Sequence, residues 1–380
     1  MTGDTQLHWL EAGEARHARW QSEAAVPPPA RVRLADDTLS ADAAYKLACE
    51  GTALLWRGDF HNARQLLQAL ARRVDRQQAR RARDVTPGAS PADLFHRHRQ
   101  QQGQRARVLG MLLVAIEADG QIALRRAPDV RGACAQAWGD APLRCVVSLR
   151  ELQGVVGAFE WRRKGVPLPA LGGASIHPHY GVFSPVRGEY LDLVAQAPLP
   201  ATSLAFDIGT GTGVLAALLA RRGVARVEAT DLDPRALACA RENIGQLGLS
   251  AQVTVLQADL FPPGRAPLVV CNPPWLPAHA SSPVERAVYD EDSRMLRGFL
   301  SGLAEHLAPG GEGWLILSDL AEHLGLRPRE ALLQWITDAG LQVAGRLDAK
   351  PRHAKAADAS DPLHAARARE VTSLWRLRIV

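Results

Sequence analysis

Through the second half of the chain, short apolar runs alternate with longer stretches whose apolar positions recur every three or four residues. The runs predict strands at Ser203–Ile208, Arg226–Asp231, Gln252–Gln257, Leu268–Cys271, Gly313–Ser318, Leu341–Leu347 and Val371–Val380. The stretches between them predict helices at Gly213–Arg222, Pro234–Leu247, Ser293–Leu307 and Arg327–Ala339. This alternation implies an α/β fold, a Rossmann-like, doubly wound sheet of seven strands with helices on both faces. The last two runs are joined by the polar segment Asp348–Glu370, which lacks a crossover-helix pattern, so an antiparallel pair is expected at one edge, with the last strand antiparallel.

Residues 1–165 follow another rhythm. Leu39–Glu50 and Asn62–Arg83 have helical spacing, separated by "GTALLWRGDFH". The stretch "RVLGMLLVAIEADGQIALRR", from Arg107 to Arg126, reads as a hairpin turning at Asp119-Gly120. The expectation is an α+β N-terminal domain over 1–165, followed by the doubly wound domain over 166–380. At the junction Ser184 and Pro185 form a helix start, an N-cap followed by proline, which places Glu189 and Tyr190 on that helix.

Composition is that of a globular chain long enough for two domains, 380 residues with 47% apolar and 22% charged. A net charge of +5 leans mildly towards an acidic partner. Ten arginines against three aspartates between Arg72 and Arg107, a net +7, read either as a solvated helix face or as a phosphate contact. Five scattered cysteines without a C-x-x-C pair argue against a disulfide framework and for a reducing compartment. No apolar leader follows Met1, and no apolar stretch reaches the about 18 residues of a spanning helix. A soluble, cytoplasmic protein with no membrane partner is expected.

Chemistry first becomes visible in "AFDIGTGTGVLAALLA", which sets Asp207, Gly209, Gly211 and Gly213 at a strand-to-helix turn. Glycines there let the backbone approach a ligand. Gly211-x-Gly213-x-x-Ala216 also fits a relaxed dinucleotide fingerprint, so a nicotinamide enzyme is one reading. Asp207 suits an amine or a water better than a pyrophosphate, whose charge it would repel. Asp231 ends the second strand, where a carboxylate suits ribose hydroxyls. Asp233, before Pro234, reads as a helix cap instead. Asp259, in "LQADLF", is placed to accept from an adenine amino group, with Leu260 or Phe261 against the ring.

The stretch "LVVCNPPWLP" ends an apolar strand in an amide, two prolines and a tryptophan. Proline holds Asn272 extended and stiffens the loop. Two acceptors result, the Asn272 side-chain oxygen and the Pro273 carbonyl, with Trp275 as a flat apolar wall. Paired acceptors suit a planar NH2 whose lone pair is delocalised, as in an amide or a base amine. Gripping its two N–H bonds orients the nitrogen and favours the tetrahedral form that can attack.

Taken in order, "DIGTGTG", the acid ending strand two, "ADLF" and "VVCNPPW" resemble a class I S-adenosylmethionine-dependent methyltransferase. More narrowly they resemble the small-domain group with an Asn/Asp-Pro-Pro-aromatic motif. That group includes adenine-N6 and guanine-N2 methyltransferases of nucleic acids and the glutamine methyltransferases of release factors. The resemblance covers about residues 175–380. It implies that Asp207, Gly209, Gly211 and Gly213 surround the methionine moiety, Asp231 the ribose, and Asp259 with Leu260 or Phe261 the adenine. Asn272, Pro273 and Trp275 would hold the acceptor. The lead-in "GVFSPVRGEY" resembles the segment that covers the cofactor, which implies Phe183 in that pocket. Trp275 stands where tyrosine or phenylalanine is usual in the glutamine methyltransferases and the small-subunit guanine enzymes, and residues 1–165 match no acceptor domain of the group; both bear on the substrate, not the chemistry.

Other features read more blandly. His177-x-His179 lacks the carboxylate or cysteine company of a metal site, so no metal is expected. The run from Tyr289, "YDEDSR", reads as a cap for the helix that follows, and Trp314 as sheet packing. Arg352, His353, Lys355, Arg367 and Arg369 form a second basic group between the last strands. The expected function is N-methylation of a conjugated NH2, with an exocyclic base amine of RNA favoured as acceptor and a protein glutamine as the alternative. A nicotinamide oxidoreductase would leave Asn272–Trp275 unexplained. A non-catalytic cofactor-binding protein would have no need of an intact acceptor motif.

Overall fold

The computed structural model describes residues 6–82, 88–139, 144–185, 188–282, 284–352, 358–359 and 361–380. The chain divides into two compact units, Met1–Ala89 with His96–Glu160, and Ser90–Phe95 with Trp161–Val380.

The first unit is built from β1 (Gln6–Glu11), β2 (Glu14–Gln21), β3 (Arg31–Ala35), α1 (Ala41–Cys49), β4 (Thr52–Trp56) and α2 (Phe60–Ala82). It continues through most of α3 (Pro91–Leu109), then β5 (Leu112–Ile116), α4 (Arg131–Trp138), β6 (Cys145–Ser148) and most of α5 (Leu149–Lys164). Its six strands lie in the order β1-β2-β6-β5-β4-β3. Strands β3, β4 and β5 run parallel, as do β2 and β6, while β1–β2 and β5–β6 are antiparallel.

The hairpin expected over Arg107–Arg126 does not form. Arg107 belongs to the last turn of α3. Asp119-Gly120 does make a tight turn, in which the Glu117 N–H donates to the Gln121 carbonyl over 2.8 Å. The chain after it forms no strand, because both edges of β5 are already taken by β4 and β6. Leu112, Leu113 and Val114 are fully buried at the centre of the sheet, against the equally buried Val146 and Val147. The segment "QIALRR" instead packs Ile122, 6% exposed, with Leu124 beside it, into the same core as Leu112 and Val114 without pairing to the sheet.

The second unit holds the two-stranded β7 (Val166–Pro167) and β8 (Ser175–Ile176), then α6 (Glu189–Gln196), β9 (Leu204–Ile208), α7 (Val214–Arg221), β10 (Arg226–Asp231) and α8 (Pro234–Gln246). After β11 (Val253–Gln257) and β12 (Ala266–Cys271) come α9 (Arg294–His306), β13 (Leu307–Ser318), α10 (Leu320–His323), α11 (Arg329–Asp338), β14 (Leu341–Ala349) and β15 (Thr372–Ile379). The seven strands lie in the order β11-β10-β9-β12-β13-β15-β14, Rossmann-like, with β15 antiparallel to both its neighbours. The expected strands and helices of this half are all present, most with ends shifted by one or two residues and β13 starting six residues early, at Leu307.

One helix start is corrected. Helix α6 begins at Glu189, and Gly188 caps it, its carbonyl accepting from the Leu191 N–H over 3.0 Å. Ser184 and Pro185 precede the helix in irregular chain. Tyr190, Leu191, Leu193 and Val194 form the face that packs into the core, while residues 186 and 187 of the expected first turn lie outside the described residues.

Candidate functional site

Strand order brings the site together. β9 and β12 are sheet neighbours with Ile208 opposite Cys271, and β10 lies on the other side of β9 with Thr230 opposite Ile208. The loops carrying Gly209, Asp231 and Asn272 therefore leave the same carboxyl edge, at the point where the strand order reverses. Sixty-odd residues of sequence separation disappear in one hydrogen-bonded register.

At the glycine loop, Asp207 has no solvent exposure. One of its oxygens, Oδ2, accepts from Thr210 Oγ1 at 2.6 Å and from the Ala216 N–H at 3.0 Å. The other, Oδ1, is buried with no hydrogen-bond partner. Burial raises this carboxyl to about 6. A desolvated, half-satisfied carboxylate beside a glycine loop is a place for a cationic or N–H-rich group to bind. The residues present thus fit the amino acid end of S-adenosylmethionine.

Gly211 has φ of +56°, and its N–H donates to Asp231 Oδ2 at 3.0 Å. Asp231 Oδ1 accepts from the Asp233 N–H, also at 3.0 Å, so the carboxylate ties the glycine loop to the end of β10 and keeps lone pairs for a ligand. Gly213 caps α7 with φ of +80°, and a Cβ there would come within 3.3 Å of Ala240 on α8. Asp233 is a helix cap, accepting from the Arg235 N–H at 2.8 Å.

Asp259 is exposed, and its nearest cation is Arg294, at 3.9 Å. Leu260 takes a left-handed φ of +72°, with its carbonyl accepting from Thr230 Oγ1 at 2.5 Å. Phe261, named beside Leu260 for an adenine wall, packs inward: its ring stacks on His306 at 4.2 Å and on Phe299 at 5.9 Å. The protein's own aromatic rings occupy it, because Gly302 on α9 leaves room for it. Phe183 lies half-buried in the irregular chain before α6.

The acceptor elbow departs from the expected free wall. The indole N–H of Trp275 donates to Asn272 Oδ1 at 2.9 Å. Trp275 is half-buried and packs against apolar clusters on both faces of the sheet. The residue three positions along thereby orients the amide, leaving that oxygen one further lone pair. Among the described residues no hydrogen bond engages the Pro273 carbonyl. Beyond the elbow, Leu276 exchanges backbone hydrogen bonds with Val288 and Asp290. Asp290 in turn accepts from the Met295 and Leu296 N–H groups at 3.0 and 3.1 Å, the cap read from "YDEDSR".

Three residues here carry little sequence signal. Asn243 donates to the Thr212 carbonyl at 3.0 Å and accepts from the His177 N–H at 2.8 Å, fastening the glycine loop and the lead-in to α8. A lone amide on the buried stripe of α8 is the clue that could have found it. Glu189, 4% exposed, keeps its Oε1 buried and unpartnered. Arg327, 3% exposed, points at the Ser293 hydroxyl and the Trp275 carbonyl from 3.4 and 3.5 Å.

The histidines have structural work. His179 Nε2 lies 2.8 Å from Glu242, which also pairs with Arg162, and His177 Nδ1 contacts the Arg162 carbonyl at 2.6 Å. Among the described residues no cluster of three or more potential ligands gathers for a metal. Trp314 is buried in the sheet. In the second basic group, Arg352 reaches Asp192 at 3.3 Å and Arg367 pairs with Asp361 at 3.0 Å. His353 and Lys355 lie outside the described residues. No described helix is long and apolar enough to cross a membrane.

Residues 174–329 match the family model of the methyltransferase small domain. The chain is 42% identical over 115 residues to the release factor glutamine methyltransferase of Moorella thermoacetica, across 29% of this chain and 41% of that protein. It is 32% identical over 144 residues to the tRNA1(Val) (adenine(37)-N6)-methyltransferase of Shewanella loihica, across 35% and 59%. It is 33% identical over 160 residues to the ribosomal protein L11 methyltransferase of Geobacter metallireducens, across 36% and 52%. The chain spans about half the length of these curated relatives.

Proposed function

We propose that this protein, through the methyltransferase small domain of residues 174–329, is an S-adenosylmethionine-dependent N-methyltransferase acting on a conjugated NH2 group. The observation that carries the reading is the pairing of Ile208 with Cys271, which sets the acceptor elbow beside the loop of Asp207. The cofactor supplies a methyl group on a cationic sulfur. Asp207, with Gly209, Gly211 and Gly213, would hold its amino acid end; Asp231 would take the ribose hydroxyls, and Asp259 with Leu260 the adenine. Phe183 would close the pocket from the lead-in.

In the acceptor pocket, the remaining lone pair of Asn272 Oδ1 and the Pro273 carbonyl would receive the two N–H bonds of the substrate amine. As that nitrogen turns pyramidal its lone pair is released to attack, and its N–H bonds become more acidic and bind the two acceptors more tightly. No strong base is required, since the proton is lost to solvent once the nitrogen carries its new carbon. Trp275 would hold Asn272 in the orientation this demands while offering an edge or face to the planar acceptor.

For the acceptor the reading is an exocyclic base amine of RNA, supported by the arginine-rich helices of the N-terminal domain, residues 1–165, which would recognise substrate while residues 166–380 catalyse. A protein glutamine is the second reading, because it presents the same planar NH2 and a relative carries that name. A cytoplasmic location is part of this reading. The test is incubation of extract with cofactor bearing a radiolabelled methyl group, then digestion. Label destroyed by ribonuclease supports RNA; label destroyed only by protease replaces it with a protein. Binding of NADH without S-adenosylmethionine would sink both.

A further inference from the structure

Helix α2 presents two chemically opposed faces. Ala63, Leu66, Leu67, Leu70 and Val74 are buried along one side. At 100° per residue, Arg72 points directly away from that stripe, and Arg76 and Arg80 follow at four-residue steps. All three are exposed, with no ion pair among the described residues. Gln65 and Gln68 occupy the same outer face and are exposed too. Among the described residues the nearby carboxylates are already engaged: Asp42 by Arg73 at 2.7 Å, and Asp75 by Arg105 of α3 at 2.8 Å.

We infer that this outer face of α2 is a docking surface for the phosphodiester backbone of RNA. Successive arginines rise by about 6 Å, so three guanidiniums form a row about 12 Å long that can meet consecutive phosphates, with Gln68 as a further donor; the Gln65 amide nitrogen lies 2.9 Å from His61 Nε2. Guanidinium is the side chain best shaped for phosphate oxygens. Other polyanionic or macromolecular partners fit less well. No large apolar side chain is exposed along α2, so the face lacks the residues that insert into a lipid surface and the anchors that centre a protein interface. The inference rests on the RNA acceptor reading and adds where that RNA is held.

The test uses the full chain, a fluorescein-labelled RNA stem-loop, and the triple variant Arg72→Gln/Arg76→Gln/Arg80→Gln, with Arg16→Gln/Arg33→Gln as a surface-charge control. Circular dichroism and S-adenosylmethionine affinity verify that both variants are folded. The triple variant should lose at least tenfold in RNA affinity, and its salt slope, log Kd against log salt, should flatten by about 2, as expected for three lost phosphate contacts. The control should change less than twofold. Equal losses in both variants, or RNA binding untouched by the triple change, would overturn this surface while leaving the methyl-transfer reading intact. Wild-type protein that binds no RNA but methylates a glutamine would overturn the surface and the RNA acceptor together. Binding to phosphatidylglycerol vesicles that falls with the same three arginines, without RNA binding, would assign the face to a membrane and overturn the inference.

Discussion

Trp275 donates its indole N–H to the side-chain oxygen of Asn272 across 2.9 Å, so the aromatic residue of the elbow orients the amide at its start. The two prolines between them make this geometry cheap, since little backbone freedom remains to be lost. A tyrosine or phenylalanine at that position has no ring N–H to offer. Trp275→Phe should therefore lower kcat roughly two- to tenfold, the range of one orienting hydrogen bond, with cofactor affinity unchanged. Asn272→Ala should abolish transfer while the cofactor still binds. Single-turnover rates and calorimetric titration of each variant measure both; a fully active Trp275→Phe would mean the N–H does not position the amide.

Asp231 joins the Gly211 and Asp233 N–H groups and keeps further lone pairs. Asp231→Ala should weaken S-adenosylmethionine binding by about 1–3 kcal/mol, as for a charge-assisted hydrogen bond. An unchanged dissociation constant by calorimetry would remove Asp231 from the ribose site.

Asp207 imposes a pH dependence of known sign. Burial holds its carboxyl at about 6, above the about 3.9 of an unfolded chain. Between those values the folded protein binds the extra proton, so stability from this group falls as pH rises through that window, by on the order of 3 kcal/mol. Asp207→Asn should flatten denaturant-midpoint curves there. A cationic amine pairs with the ionised form, so wild-type affinity for S-adenosylmethionine should improve as pH rises through about 6. Affinity that is flat with pH would mean the unpartnered Oδ1 does not face the ligand.

Glu312 works in the opposite sense. It is fully buried and accepts from Trp314 at 3.0 Å, Arg376 at 2.6 Å and Arg378 at 2.6 Å. Burial alone would raise its carboxyl, but these donors outweigh it and hold the group at about 2. Its contribution is present above the ordinary glutamate range and is lost as pH falls towards about 2. Glu312→Gln keeps the shape but discharges the pair, leaving two arginines uncompensated. A loss of about 2–4 kcal/mol at neutral pH is expected, read from urea unfolding; no loss would mean the network is neutral in balance.

The amino acid sequence alone determined the seven-strand sheet of the second unit and four of its helices, because their signals are local: apolar period, glycine at a turn, proline after an asparagine. Period two and period 3.6 are imposed by backbone geometry on any chain that must bury one face. It likewise marked Asp207, Asp231 and Asn272 as chemical candidates, since each stands at the end of a legible strand. In the first unit the same rules misread "RVLGMLLVAI", whose partners β4 and β6 come from elsewhere in the chain and cannot be inferred from its own pattern.

Tertiary structure decided what depends on distance rather than period. Only the order of strands sets Ile208 against Cys271. Only packing turns Phe261 onto His306 and recruits Asn243 to the glycine loop. Side-chain direction and pairing across the sheet are set by competition among all segments for the same core, a sum no local window contains.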